Sequence, residues 1–97
     1  MFGFRRSAGT AIEPWAKRLA FASADSTFDL VCRSSLRRGD AVFVDGGGAV
    51  PVDGRVLETS DATGARGGPA AGAPVREGTL ASAGWIVIEV AHDPDRN

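Results

Sequence analysis

The sequence has very few of the side chains that bind metals or act as nucleophiles. Cysteine and histidine each occur once, as Cys32 and His92, so no internal disulfide can form and a cysteine-based zinc site is excluded. No Ser, Cys or second His is placed to form a recognisable nucleophilic pair with His92. Cys32 falls on the apolar side of a predicted strand, and we expect a small buried hydrophobic residue there. No metal or cofactor is expected.

Long apolar runs are also missing. No stretch approaches the roughly 20 apolar residues that a membrane-spanning helix needs. Arg5 and Arg6 stand near the start, but Glu13, Pro14 and Lys17 interrupt the stretch that follows, so no signal-peptide core is present. The formal net charge of −1 argues against a domain built to hold nucleic acid. We expect a cytoplasmic protein that neither spans a membrane nor binds nucleic acid.

The composition that remains is that of one small globular domain. The chain has 97 residues, of which 43% are hydrophobic, enough for a single modest core. Its 13 glycines and 5 prolines indicate many tight turns, which short-stranded β domains require. We predict a leader with a short helix over 1–17, a β domain over 18–95 and a tail at 96–97.

The N-terminal region has the signals of a short helix. Thr10 and Glu13 have the spacing of a capping box, in which each side chain satisfies an unpaired backbone N–H. Ile12, Trp15 and Leu19 then recur at intervals of three and four residues and form an apolar stripe. The sequence therefore predicts a short helix here, packed on the domain.

The rest of the chain reads as short strands separated by turns. Alternating apolar residues predict a first hairpin. Short apolar stretches between turns then predict further strands, among them an edge or bulged piece containing Pro51 and a clear last strand. Asp53-Gly54 is typical of a type I′ turn, and residues 59–74 form a long loop without apolar periodicity. The predicted fold is all-β, a small twisted β-sandwich or distorted jelly roll. Its strands cover 19–23, 28–32, 41–44, 49–52, 55–58 and 84–90.

An ordered series of turn motifs carries a family resemblance. A Leu-x-x-Gly-Asp turn ending in Gly39-Asp40 precedes one strand, and a Pro-x-Asp-Gly turn at Pro51, Asp53 and Gly54 follows it. This series resembles the actuator domain of P-type cation-transporting ATPases, most closely that of the bacterial potassium pump's catalytic subunit. The short segment around Pro74 and the last strand fit the same pattern. The resemblance covers roughly residues 18–95 and implies that these positions are scaffold residues.

The same resemblance locates the family's catalytic loop. In the family a Thr-Gly-Glu-Ser loop precedes the segment around Pro74, and its Glu orients the water that hydrolyses an aspartyl-phosphate on another domain. That chemistry needs a carboxylate, because water is a poor nucleophile until a base orients it. Laid without gaps from Val56 to Val75, the four loop positions are Pro69, Ala70, Ala71 and Gly72. Ala71 stands in the place of the Glu, and a methyl group cannot perform this role, so we expect no enzymatic activity.

Two other motifs have competing interpretations. Asp61-Ala62-Thr63-Gly64 resembles the Asp-Lys-Thr-Gly phosphorylation site of the same ATPases, but it lacks the Lys. Gly46-Gly47-Gly48 could be taken for a phosphate-binding loop, but the Gly-Lys-Ser/Thr of a Walker motif is absent. We interpret the glycine run as a hairpin turn and give neither motif a catalytic role.

The functional hypothesis combines the retained scaffold with the lost carboxylate. It is a non-catalytic, actuator-like interaction or regulatory module whose partner is the cytoplasmic part of a P-type ATPase. The alternative is a fragment or decayed remnant of a P-type ATPase catalytic subunit. The sequence leaves the ion, the partner and the oligomeric state open.

Overall fold

A computed structural model describes residues 14–93 of the chain. Its six strands form one antiparallel sheet in the order β2-β1-β3-β6-β4-β5. Within the described residues the only helical element is a 3-10 turn at Arg33–Ser35, and no helix is long and apolar enough to cross a membrane. The all-β prediction is therefore confirmed. The strands are β1 (Trp15–Leu19), β2 (Phe28–Cys32), β3 (Ala41–Val44), β4 (Gly54–Thr59), β5 (Pro74–Val75) and β6 (Ile86–Val90).

The core lies on one side of the central strands, which we call the covered face. Side chains alternate between the two faces of a strand, so Ile86, Ile88 and Val90 of β6 point to this side and are buried. Val42 and Val44 of β3 join them. These aliphatic residues also favour extended backbone, because branched side chains pack well on a pleated surface.

Segments outside the strands close the covered face. Val50 and Val52 are fully buried in the same cluster, although they belong to no strand. Ala49 makes a single bridge to Leu80, and the Val50 N–H donates to the Thr79 carbonyl at 2.8 Å. The predicted strand over 49–52 is therefore wrong. Its apolar alternation reflects burial under the sheet rather than strand pairing.

The other side of the sheet, which we call the open face, has a much thinner cover. Val87 is buried there, while Phe43 and Trp85 are only partly buried and lie 5.7 Å apart between ring centroids. The Lys17 ammonium lies 5.7 Å from the centroid of the Phe43 ring. Trp15 is exposed at the end of β1.

The predictions for the N-terminal region either lie outside the described residues or are wrong. The capping box at Thr10 and Glu13 lies outside the described residues, as do the other residues of 1–13 and the whole predicted tail at 96–97. The helical stripe is wrong at Trp15 and Leu19, which belong to β1. Because β1 lies between β2 and β3, both of its edges form ladders, and these stabilise extended backbone over a helix. The domain limits of 18–95 stay a prediction.

The first hairpin exists but is displaced. β1 pairs with β2 in a register that sets Trp15 opposite Cys32 and Leu19 opposite Phe28, so the first strand is 15–19 rather than 19–23. The prediction that Cys32 is buried is wrong, since its side chain is exposed. The reason is that β2 is the last strand of the sheet, and nothing in the described part of the chain covers this side of it.

Of the two predicted glycine turns, one is confirmed and the other is wrong. The turn at 45–48 is confirmed, with the Gly48 N–H donating to the Asp45 carbonyl at 2.9 Å and Gly47 at a φ of 88°. The type I′ turn at Asp53-Gly54 is wrong, because Gly54 begins β4 and is absent from the positive-φ glycines. A Cβ at Gly54 would lie 2.5 Å from the Glu89 carbonyl oxygen. Glycine is needed there for the close approach of β6.

Candidate functional site

The segment 60–73, which connects β4 to β5, is organised around one buried carboxylate. Asp61 is 7% exposed, and its Oδ2 accepts hydrogen bonds from the backbone N–H groups of Arg66 at 3.1 Å and Gly68 at 3.0 Å. The Asp61 carbonyl accepts the Gly64 N–H at 2.9 Å. A buried carboxylate satisfied by backbone donors is a structural anchor. These contacts give Asp61 a structural role, which is independent of the resemblance of residues 61–64 to a phosphorylation site.

A tight turn at 70–73 presents the predicted loop residues. The Ala73 N–H donates to the Ala70 carbonyl at 3.0 Å, and Gly72 has a φ of 91°. A turn with positive φ at its third residue favours glycine there. The Gly72 N–H also donates to the Val56 carbonyl at 2.7 Å, which fixes the turn to β4. Ala71 is exposed at the tip.

The surroundings of this tip contain little that could perform acid–base chemistry. Pro69 lines a shallow hollow together with Pro74, Leu80 and Arg76, and Arg76 is the only charged residue among the described lining residues. Within residues 14–93 no group of three or more His, Cys, Asp or Glu side chains is placed to hold a metal ion. The site offers an exposed surface with the positive charge of Arg76 in the adjacent hollow.

The Gly39-Asp40 motif ties one turn to the central strand β6. The Gly39 N–H donates to the Val90 carbonyl at 2.9 Å, and the Val90 N–H donates to the Asp40 carbonyl at 2.9 Å. The Asp40 Oδ2 accepts the Arg37 N–H at 2.8 Å, and Gly39 has a φ of 91°. Both residues therefore shape the turn that leads into β3.

The Pro-x-Asp-Gly motif likewise shapes the turn that leads into β4. Asp53 Oδ1 accepts the Glu77 N–H at 2.8 Å, and the Asp53 carbonyl accepts the Ala91 N–H at 3.0 Å. The Pro51 carbonyl accepts a hydrogen bond from the Arg33 guanidinium. His92 Nε2 lies 3.5 Å from Asp53 Oδ2, a pairing between half-exposed side chains that no feature of the sequence indicated.

The ladder between β4 and β5 connects the scaffold residues to the turn at 70–73. Gly54 pairs with Val75 and Arg55 pairs with Pro74, and the next pair of hydrogen bonds joins Val56 to the 70–73 turn. Gly54, Pro74 and Gly39 also line a common hollow. The scaffold residues and the turn tip therefore lie at one hydrogen-bonded end of the sheet. The Asp61 anchor was not predicted from the sequence, although an Asp followed closely by glycines is a turn signal.

Comparisons with known proteins agree with this fold. No family model matches the chain. The potassium-transporting ATPase ATP-binding subunit of Yersinia enterocolitica is 35% identical over 91 residues, covering 82% of this chain and 13% of that subunit. The Yersinia pestis subunit has the same identity and coverage. The chain thus spans about an eighth of the length of these curated relatives.

A comparison of the fold with solved structures also finds P-type ATPases. A zinc-transporting PIB-type ATPase in its E2·Pi state matches with a TM-score of 0.66 and 27% identity, covering 86% of this chain and 14% of that one. A second structure of a zinc-transporting PIB-type ATPase, in a different state, matches with a TM-score of 0.61 and 29% identity, covering 87% of this chain and 15% of that one. The chain is therefore homologous to P-type ATPases and corresponds to one segment of those longer proteins.

Proposed function

We propose that the chain is an actuator-like module without catalytic activity, which acts in the cytoplasm by binding the cytoplasmic domains of a P-type ATPase. The observation that carries this proposal is the exposed turn tip at Ala71 on an otherwise family-like fold. Turn residues that match the family motif, such as Asp40 and Asp53, make backbone contacts that hold the strands together. The retained residues shape the surface, and the position assigned to chemistry has only a methyl group.

The chemistry of the tip supports the absence of catalysis. A base that orients water has to reach it within hydrogen-bond distance, and Ala71 offers no acceptor. The nearest carboxylate in sequence, that of Glu77, is paired with the Arg33 guanidinium at 2.7 Å. The Asp61 Oδ2 accepts two backbone N–H groups, which hold it inside the loop. In this proposal the chain occupies the surface that an actuator domain would occupy and leaves the aspartyl-phosphate intact.

The charge beside the tip indicates which kind of partner surface fits. Arg66 precedes the turn in sequence and Arg76 follows it, and both side chains are exposed. Two cations at this end favour an acidic patch on the partner, because opposite charges steer association and fix orientation. The ion that such a pump carries is not part of the proposal.

A titration tests the binding step. The purified cytoplasmic phosphorylation domain of a potassium-transporting ATPase is titrated with this chain by calorimetry. We expect saturable binding that the double change Arg66→Glu and Arg76→Glu weakens roughly tenfold or more, equivalent to about 1.4 kcal/mol. Arg37→Glu reverses one charge on a different turn; it is the control for the single changes Arg66→Glu and Arg76→Glu and should change affinity little. No binding by the native chain would contradict the proposal.

A kinetic arm tests the missing catalysis separately. The phosphorylated pump is mixed with the native chain or with Ala71→Glu, and the decay of the aspartyl-phosphate is followed. The native chain should leave the decay rate unchanged, and Ala71→Glu should bind as well while raising that rate. Acceleration by the native chain would contradict the non-catalytic assignment.

A second candidate rests on the coverage of the relatives, whose subunits contain the counterpart of this chain as 13% of their length. In that case the segment belongs to a pump subunit or to its remnant, and its partners are in the same polypeptide. Sequencing the transcript around this reading frame distinguishes the two candidates. An in-frame phosphorylation domain with membrane helices would favour the second.

A further inference from the structure

Within residues 14–93 the outer edge of β2 has no partner strand. Its outward backbone groups are free there, except that the Cys32 carbonyl accepts the Ser35 hydroxyl at 2.7 Å. Among residues 14–93, β2 pairs only with β1. The Arg33 N–H donates to the Pro14 carbonyl at 2.7 Å, and the Ala20 N–H donates to the Thr27 carbonyl at 2.9 Å. Hydrogen-bonded pairs alternate along an antiparallel ladder, so the odd-numbered residues of 27–33 direct their backbone groups to β1. The even-numbered residues direct theirs outward.

This edge lacks the usual protection against pairing. Natural edge strands carry lysine, proline or a bulge that prevents another strand from adding. β2 has none of these, and its register with β1 is regular along all five residues. The outward residues are Phe28, Leu30 and Cys32, all exposed, with Leu30 at 65%. The one charge in the strand, Asp29, lies opposite Arg18 of its own chain.

We propose that the outer edge of β2 binds the same edge of a second copy of this chain, antiparallel and with the two-fold axis at Leu30. Outward groups must meet outward groups, and only this register uses all three outward residues of both strands. Leu30 then pairs with Leu30 of the second copy, and Phe28 pairs with Cys32 of the second copy. A shift by two residues leaves one outward residue of each strand without a partner.

Charge and shape are compatible with the same register. Asp29 lies opposite Val31 of the second copy, so the two Asp29 carboxylates do not meet directly, and like charges directly opposite would destabilise the pair. Phe28 lies on the open face, where the Lys17 ammonium is 5.1 Å from the centroid of its ring. Under this symmetry the open faces of both copies join into one apolar surface across the axis.

The size of the contact sets its strength. Pairing two five-residue strands buries less than the roughly 1,000 Å² that a stable interface needs. We therefore expect a weak, concentration-dependent dimer with a dissociation constant on the order of micromolar to millimolar.

Analytical ultracentrifugation of the full chain over a concentration series tests self-association. The native chain should pass from monomer to dimer, and Leu30→Lys should weaken the dimer at least tenfold because two ammonium groups then meet at the axis. Phe21→Lys is the matched control, since Phe21 is 75% exposed but lies outside β2, and it should dimerise like the native chain. A native chain that stays monomeric throughout, or equal losses in both variants, would overturn the proposal.

Cross-linking tests the register and is independent of ATPase binding. Phe28→Cys keeps Cys32 and should form an intermolecular disulfide on mild oxidation, because paired Cα atoms about 5.5 Å apart suit a disulfide. Leu30→Cys combined with Cys32→Ser should do the same at the axis. The native chain should cross-link far less, since Cys32 faces Phe28. Cross-linking of the native chain as efficient as that of Phe28→Cys would show a different register and overturn the proposal.

Discussion

The sheet core and the 60–73 segment obtain their structure in opposite ways. The core depends on aliphatic side chains such as Ile88 and Val90, which no solvent reaches and which the strand ladders hold in register. The segment has one buried side chain, Asp61, and three glycines with positive φ. Stability is therefore spread over many residues in the core and concentrated at one carboxylate in the segment.

The proposed loss of catalysis at Ala71 is compatible with a retained fold because of this difference. Ala71 is exposed, and the bonds that fix its turn come from the backbone of Ala70, Gly72 and Ala73. No side chain at the tip contributes to the core. If Ala71 occupies the family's Glu position, as proposed, that replacement should have no consequence for folding, whereas replacement of a scaffold residue should have one.

Truncation in the core should give the largest loss. Ile88 lies in the central strand of the sheet at 0% exposure, and Ile88→Ala removes buried methyl groups and leaves a cavity. We expect a loss of about 2–5 kcal/mol in the free energy of unfolding, measured by urea denaturation. Leu30→Ala, at an exposed position, should change it by less than about 0.5 kcal/mol. Similar losses for both variants would contradict the assigned core.

Close approach of β6 to β4 makes Gly54 the next most sensitive position. Gly54→Ala places a methyl group against the Glu89 backbone, so the strands must move apart, at a cost of about 1–3 kcal/mol. Gly46→Ala is the matched control, because the nearest atoms to its added Cβ are at 3.5 Å, an ordinary contact. The two variants are compared by thermal unfolding followed by circular dichroism. A Gly54→Ala chain as stable as Gly46→Ala would contradict the close approach.

The wrong turn prediction at Gly54 also shows how far the sequence could predict this fold. Short apolar runs bounded by turn residues identified β3 and β6, because such runs are typical of buried strands and are too short for most helices. At Trp15–Leu19 only a few apolar residues are available, and these satisfy the helical and the strand period equally. Asp53-Gly54 has the composition of a hairpin turn, and only the path of β6 makes the glycine a contact position.

The site was predictable to a different extent. The position of Ala71 within the family motif follows from spacing and stays a prediction, since the comparisons give the family without assigning residues. The Asp61 anchor depends on backbone N–H groups five and seven residues further on. Neither periodicity nor composition records where those groups point, so the sequence alone does not reveal the anchor.

Removal of the anchor should have an intermediate effect confined to the segment. Asp61→Ala leaves the Arg66 and Gly68 N–H groups without an acceptor, and because the loop opens to water we expect a loss of about 1–2 kcal/mol. Limited proteolysis should show faster cleavage within 60–73 while β6 stays protected. Asp25→Ala, an exposed carboxylate in the β1–β2 turn, should cleave as the native chain does. Unchanged proteolysis of Asp61→Ala would show that the glycine turns alone hold the segment.

Restoring a carboxylate at the tip should have the smallest effect on stability. Ala71→Glu adds a side chain at an exposed turn position between Ala70 and Gly72, where no neighbour has to move, so the free energy of unfolding should change by less than about 0.5 kcal/mol. Gly72→Ala is the contrasting change, because its φ of 91° disfavours a side chain and costs about 1–2 kcal/mol. Both are measured by urea denaturation. If Ala71→Glu destabilised the chain as much as Gly72→Ala, the side chain at the tip would affect folding. The proposed loss of the carboxylate could then not be independent of the stability of the fold.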